Sequence, residues 1–487
     1  MSKTYLKIIV LFLALILNST VETICSQDSY DEILEREHLN FDDTNLSNDF
    51  DNDETKNIKV PASENSNLQE LAFFLSDYVK QPLWSNTRPP AVRDVLYLMP
   101  YKPTSEKNKS FSVNIFYNET PHMKVSVGSI IQDGAINDKD AILDLAGLYD
   151  TQARASVIPL FKKVSLQERR IGALLQSDFK RGPLTANINT SLLLDERNCW
   201  LSKNPRTKLL DILGYKEKDI PIEEFYKLKV GIGDTKLGLD IKIIDKSNTS
   251  LNVGIQTTIP TSRLSYKPKY NVNIDSVGNT SDIDEFTESM LAITRNIRNY
   301  LLNPRFGNGG HFGFGFYTEA QTKILKDQAQ IWTRLSFDTL FAAHEDRLFF
   351  FKQTQVPENL NPGQDAFNYL KQYVLPTSFT SQVHPGCIFN FTLAANTDVG
   401  KTKWTGGYNF YAQEKERIKK IINSQVNLSD LKVSATEALQ VLQHKIFVEA
   451  MYRNRLPFGL GVGLDGTILS SGIGKDWTLY IKFSGSF

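Results

Sequence analysis

Eight polar or charged side chains recur at alternate positions within otherwise apolar stretches: Lys229, Asp240, Lys242, Gln256, Glu319, Arg334, Asp338 and Arg453. Successive side chains of an extended strand point to opposite faces, so each would stand on the wet face of a strand whose other face is oily. The chemistry on offer is that of a hydrated path. Both signs of charge are present, so strong ion selectivity is not expected. We read these residues as candidate lumen lining; the assignment rests on polarity alone.

Other residue patterns that could support catalysis fail on their context. Gly461-Val-Gly463-Leu-Asp-Gly466 satisfies G-x-G-x-x-G, but it lies in an alternating stretch running into a turn, with no strand–helix–strand unit to cradle a dinucleotide. Gly400-Lys401-Thr402 resembles the end of a phosphate-binding loop, yet Ala395 stands where the motif needs its first glycine. The six histidines (His38, His122, His311, His344, His384, His444) are scattered, and no Cys/His spacing suggests zinc. His344-Glu345-Asp346 could bind a metal or act as a base; we read it as a solvated turn after a strand ending at Phe341. No nucleophile–base pair accompanies it. No catalytic, cofactor-binding or metal-binding residue is assigned, no cofactor is expected, and the chain is not expected to be an enzyme.

The elements that must position the polar stripe are strands. Tyr226, Leu228, Val230 and Ile232 alternate with Lys227, Lys229 and Gly231. Gly233-Asp234 then marks a turn, and the apolar parity shifts to Leu237, Leu239, Ile241 and Ile243, against Gly238, Asp240 and Lys242. A second turn over 245–250 leads to Leu251, Val253, Ile255 and Ile259, against Asn252, Gly254, Gln256 and Thr258. We expect three strands of a meander joined by two tight turns. The same alternation recurs at Leu184–Leu194, Phe312–Glu319, Arg334–Phe341, Phe389–Leu393, Trp404–Tyr411 and Phe458–Leu464, and more weakly at 111–117, 125–130, 171–179 and 446–453. The estimate is roughly 12 to 16 strands. Helices are expected only in loops: a stripe of Phe286, Met290, Ile293, Ile297 and Leu301 ending before Pro304, a charged run from Glu414 to Ile422, and a segment opened by Ser434-Ala-Thr-Glu437, a capping-box pattern. One of these loops could fold inward and narrow the lumen.

Lys3 and Lys7 precede an apolar run from Ile8 to Leu17, too short to span a bilayer, so residues 1–25 read as a secretory signal. Cys25 invites a lipid anchor, but Glu22-Thr23-Ile24 lacks the small residues that would accompany it. Residues 26–64 are acidic and poor in apolar side chains and read as a disordered leader; a cation- or partner-binding tail is the alternative. Leu68, Leu71, Ala72, Leu75 and Val79 recur at helical spacing, so 65–105 is expected to hold a short amphipathic helix and lead-in that either precedes the barrel or tucks into it as a plug. Cys199 and Cys387 either pair or remain two thiols. Lys+Arg and Asp+Glu each number 55 of 487 residues, a balance that argues against a nucleic-acid partner.

From Trp477 to Phe487 every second residue is apolar or glycine: Trp477, Leu479, Ile481, Phe483, Gly485, Phe487. This ending resembles the last strand of a Gram-negative outer-membrane β-barrel, and the resemblance implies that Leu479, Ile481, Phe483 and Phe487 form a signal read by the barrel-insertion machinery. Val230-Gly-Ile-Gly-Asp-Thr-Lys-Leu-Gly-Leu239 and Asn252-Val-Gly-Ile-Gln-Thr-Thr-Ile-Pro-Thr261 resemble the pattern of bacterial outer-membrane channels of the fatty-acid and aromatic-compound uptake type. What the resemblance implies is an all-β transmembrane antiparallel barrel over 106–487, in contact with outer-membrane lipid, passing small solutes or apolar molecules passively. It names no solute. A plugged structural or surface-interaction barrel, a barrel hydrolase centred on His344, and a secreted soluble β-rich protein are the alternatives.

Overall fold

Period-two alternation produces strands along nearly the whole described chain. The structure, a computed structural model, describes residues 88–89, 91–99, 108–123, 165–200, 226–265, 273, 299–300, 302–324, 328–352, 376–422, 424–453 and 458–486. The signal, the acidic leader, the helix expected near 68–79, most of the stripe from Phe286 to Leu301, and Phe487 lie outside these residues.

Among the described residues the strands are β1 (Lys109–Met123), β2 (Ser165–Arg181), β3 (Leu184–Trp200), β4 (Tyr226–Ile232), β5 (Thr235–Asp245), β6 (Thr249–Ile259), β7 (Gly313–Ile324) and β8 (Ala329–Leu340). They continue as β9 (Ala343–Phe349), β10 (Thr377–His384), β11 (Cys387–Val399), β12 (Thr402–Gln413), β13 (Arg417–Ile421), β14 (Val441–Arg453), β15 (Phe458–Ser471) and β16 (Lys475–Ser486). One sheet runs β2-β1-β16-β15-β14-β12-β11-β8-β7-β6-β5-β3, and β2 pairs β3, so the sheet closes on itself. The first and last strands, β1 and β16, meet at the seam, where Val113 stands opposite Phe483. Closure leaves no open edge in the ring, which is what a hydrocarbon surrounding demands.

The expected meander over 226–259 is corrected. β4 and β5 are one wall strand, because both lie against β3: Leu192 faces Ile232 and Asn189 faces Lys236. Between these pairs Thr190 and Ser191 oppose Gly233, Asp234 and Thr235, a bulge rather than a turn. An extra residue in one strand flips side-chain parity just as a turn does, which is why the sequence pattern could not separate the two. Counted this way the ring has 12 strands.

The two ends differ. The strand ends joined through 182–183, 246–248, 325–328, 400–401 and 454–457 gather at one end, with the start of β1 and the finish of β16. Gly182 and Gly400 hold φ of 61° and 64° in two-residue turns, a conformation that glycine adopts without strain. Gly400-Lys401 is therefore a hairpin tip. The strand ends that lead into 124–164, 201–225, 260–312, 341–386 and 414–440 gather at the opposite end, as does the 472–474 turn, and β13, β10 and β9 form a small second antiparallel sheet. Its core is Phe349, Val383, Ile418 and Leu431.

Two expected loop helices are also corrected. Residues 417–421 form β13, with Ile418 opposite Val383; burying Ile418 in that small core outweighs the i, i+3 spacing of Ile418 and Ile421. At the capping-box pattern, Glu437 instead accepts the Ile418 amide at 3.0 Å and pairs with Lys415 at 2.9 Å. Only a 3₁₀ turn forms there (Val433–Ala435), and Val441 already belongs to β14, opposite Gln413. At 286–301, residues 299–300 and 302 are helical before Pro304; the rest is not described.

Candidate functional site

The wall faces two environments. Outward lie Ile115, Leu192, Leu239, Ile255, Val462 and Ile481, each 45–51% exposed. Aromatic side chains frame this belt: Phe111, Phe179, Trp404, Tyr452 and Phe458 toward the short-turn end, and the stacked pair Phe312–Phe341 (5.9 Å) with Tyr117–Trp477 (5.2 Å) toward the other. Inward lie buried ions and amides: Glu168, Arg170, Asp195, Arg197, Lys445 and Asp476 among them.

The inside is occupied by the chain's own residues 91–99. Arg93 reaches three strands: it donates to Gln443 on β14 at 3.0 Å, to Asn390 on β11 at 3.4 Å and to Asn409 on β12. Its guanidinium lies 4.8 Å over the Tyr411 ring. Its own carbonyl accepts Arg170 of β2 at 2.7 Å. Asp94 caps the 3₁₀ turn Val95–Tyr97 by accepting the Leu96 amide at 2.9 Å. Tyr97 donates to Asp338 of β8 at 2.5 Å and accepts Lys236 of β5 at 2.8 Å, with that ammonium 4.0 Å from its ring. Partners on β2, β5, β8, β11, β12 and β14 surround the segment.

Apolar packing seats the same turn. Val95 and Leu98 join Phe116, Leu174, Leu193, Phe306 and Tyr480, while Tyr97 joins Leu340, Ile388, Tyr411, Val441 and Ile473. Each fully buried aliphatic side chain contributes about 1.5–3 kcal/mol. Gly463 shows how closely the wall is fitted: an added Cβ there would collide with the Tyr480 ring, whose hydroxyl donates to Glu449 at 3.0 Å. The middle glycine of the G-x-G-x-x-G stretch thus serves side-chain packing in β15.

Five of the eight candidate lumen residues form one connected group. Gln256 donates to Asp338 at 2.6 Å, Arg334 to Gln256 at 3.4 Å, and Arg334 pairs with Glu319 at 3.6 Å. Tyr317, stacked under Arg334 at 4.2 Å, donates to Asp240 at 2.7 Å. Lys242 stands apart at the short-turn rim, paired with Asp245 at 3.0 Å. Lys229 lies opposite Asp195 on the inward face of β4. Arg453 pairs with Gly459 in the backbone register; its side chain lies outside the described residues. Leu479, Ile481 and Phe483 are exposed on the outer face of β16.

Residues that the sequence reading missed carry the central contacts: Arg93, Asp94, Tyr97, Arg170, Arg197, Lys236, Lys445 and Asp476. Lys445 is completely buried between Asp465 at 2.8 Å and Asp476 at 2.6 Å. Strand parity would have found the wall members, since Lys236 shares a face with Asp240. Nothing in the periodicity marks 91–99.

His344-Glu345-Asp346 is corrected too: it belongs to β9, not to a solvated turn. Glu345 accepts or pairs with His311 (2.7 Å), Arg347 (2.9 Å) and Arg305 (3.4 Å), and Arg347 reaches on to Glu416 at 3.1 Å. Burial disfavours its charge, but Arg347, Arg305 and His311 together hold the carboxyl below its ordinary range. Its position is that of a clamp between 305–311, β9 and β13's approach. Cys387 is a free thiol, 3.6 Å from the Thr339 hydroxyl.

An apolar belt outside and buried charge inside invert the arrangement of a water-soluble barrel. The chain is a transmembrane β-barrel. No family model and no curated protein matches its sequence. Among solved structures it is similar to the COG4313 outer membrane channel from Pseudomonas putida F1, at 9% identity and a TM-score of 0.42, covering 82% of this chain and 100% of that one. It is similar to the Pseudomonas putida toluene transporter TodX at 8% identity and a TM-score of 0.34, covering 84% and 96%. The beta domain of the Bordetella autotransporter BrkA follows at 6% identity and a TM-score of 0.35, covering 78% and 100%. Proteins of such different work share this architecture, so at these scores the likeness carries no argument, and the barrel rests on its own hydrogen-bonded ring.

Proposed function

We propose that this protein is a passive channel of the outer membrane for small solutes, closed at rest by residues 91–99. The observation that carries the reading is the seat of that segment. Its polar side is held by side-chain hydrogen bonds to a polar wall, contacts that water and a hydrated solute can replace, alongside the apolar seats of Val95, Tyr97 and Leu98. The lumen bears both signs, so the path favours no strong ion selectivity. By the architecture of such barrels, the short-turn end, with the start of β1 and the finish of β16, faces the periplasm and the capping sheet faces outward. Outer-membrane lipid meets the outward belt, and the insertion machinery reads the last strand.

Liposome swelling tests this. Proteoliposomes carrying a chain deleted for 91–99 are expected to admit small neutral sugars at least ten times faster than those carrying the full chain. A deletion protein that is folded, as judged by a heat-modifiable band on a gel, yet admits nothing contradicts the channel and favours a structural barrel. Should the deletion not fold, Arg93→Ala with Tyr97→Phe removes the segment's side-chain hydrogen bonds to β5, β8, β11, β12 and β14 and keeps the chain length.

A further inference from the structure

The segment that fills the lumen runs through it in one direction. Arg88 donates from Nη2 to the Ser434 carbonyl at 2.9 Å, in the 414–440 connection. Pro89 and Ala91 line a cavity with Glu414, Ala438 and Leu439, which flank the finish of β12 and the start of β14. Val92 packs on Met123, Leu166 and Leu302. Met123 ends β1, and Leu166 follows the first residue of β2. All of these contacts lie at the end of the barrel opposite the short turns.

Later residues lie deeper. Val95 and Leu98 join Phe116, Leu174 and Leu193, which stand mid-strand in β1, β2 and β3. Met99 lines a second cavity with Asp178, Thr185 and Asn187, all within a few residues of the 182–183 hairpin at the short-turn end. The wall then begins at that same end, with Lys109 of β1. A chain that passes from one rim to the other before it enters the wall has its preceding residues at the rim where the passage began. We infer that this barrel carries its own N-terminal portion across the membrane: the residues that precede Arg88 leave the lumen at the end opposite the short turns and are displayed on the face of the membrane which that end meets.

Two further observations fit. The lumen already holds a polypeptide segment, since partners on β2, β5, β8, β11, β12 and β14 surround residues 91–99. The same contacts hold a delivered segment against sliding back, because Arg93 is tied to three strands and Tyr97 to Asp338 and Lys236 on two more. That the receiving face is the cell exterior rests on the orientation proposed above. Solute passage is a separate question: a barrel sealed for good by 91–99 would display its N-terminal portion all the same.

The test is epitope accessibility on cells carrying the full chain in their outer membrane. One tag is inserted between Asn65 and Ser66, a second after the exposed Gln425 in the 414–440 connection, and a third after the exposed Ser247 at the short-turn end. Each protein is first checked for a heat-modifiable band. On intact cells, antibody should label the first two tags to within about twofold of each other and about tenfold or more above the third, which should need permeabilisation. A first tag that needs permeabilisation while the second does not overturns the inference and leaves the orientation standing. Labelling of the third tag alone on intact cells overturns the display and that orientation together. The untagged chain gives a check free of insertions. Trypsin added to intact cells should cut after Lys80, so that the recovered barrel begins at Gln81; a chain cut there only after permeabilisation overturns the inference.

Discussion

Lys445 illustrates how strongly single residues are committed inside this wall. Its ammonium is enclosed by Asp465 and Asp476, and Asp476 is held in turn by Gln443 at 2.6 Å, Thr467 at 2.7 Å and Asn118 at 2.9 Å. Removing one partner of a buried pair leaves an uncompensated charge and costs about 3–5 kcal/mol. Lys445→Met is therefore expected to lower the temperature at which the folded gel band is lost, whereas the rim substitution Lys242→Met, beside the largely solvated Asp245, should leave it nearly unchanged. Gly463→Val should act by a different route, overpacking against Tyr480 at a cost of about 1–3 kcal/mol; Tyr480→Ala in the same chain should recover part of that loss. Such residues were half legible. Tyr480 and Lys482 sit on the polar face of the last strand, as read from alternation. Their partners were not, because period two tells which face a side chain takes but not which strand stands beside it.

At the scale of elements, the 91–99 segment is the part most open to external control, and Asp94 is its titrating group. The exposed carboxyl has an ordinary value of 3.8, and the seated one is raised to about 7. The seated state therefore binds the proton more tightly. Its extra stability is fully present below about pH 4, declines as pH rises, and is gone above about 7. Closure should be tightest in acid, and solute flux should rise between these limits and then level off. Asp94→Asn should flatten the profile; an unaltered profile in that variant contradicts the assignment. Strands were legible wherever one face met lipid, since outward apolar residues alternate strictly there. The bulge at Gly233-Asp234 and the strand at 417–421 were not. A bulge and a turn leave the same parity shift, and β13 is specified by its partner β10 rather than by its own five residues. The segment 91–99 was only bracketed, within 65–105, because a short irregular element carries no period and its cause lies in the wall around it.

At the largest scale, the barrel combines a closed ring, an oily exterior and a charged, filled interior. The chain's formal charge is balanced, 55 cations against 55 anions, and among the described residues Arg197–Glu168, Lys236–Asp338, Lys482–Glu449 and Lys445 with its two aspartates pair inside the wall. Closure comes from one short segment, and that division between a fixed wall and a removable occupant is the central claim. Current through single molecules in a planar bilayer tests it most directly. The full chain should show a mostly closed state with brief openings, and the chain lacking 91–99 a steady conductance of larger amplitude. Identical traces from the two proteins, both open or both closed, would contradict the account.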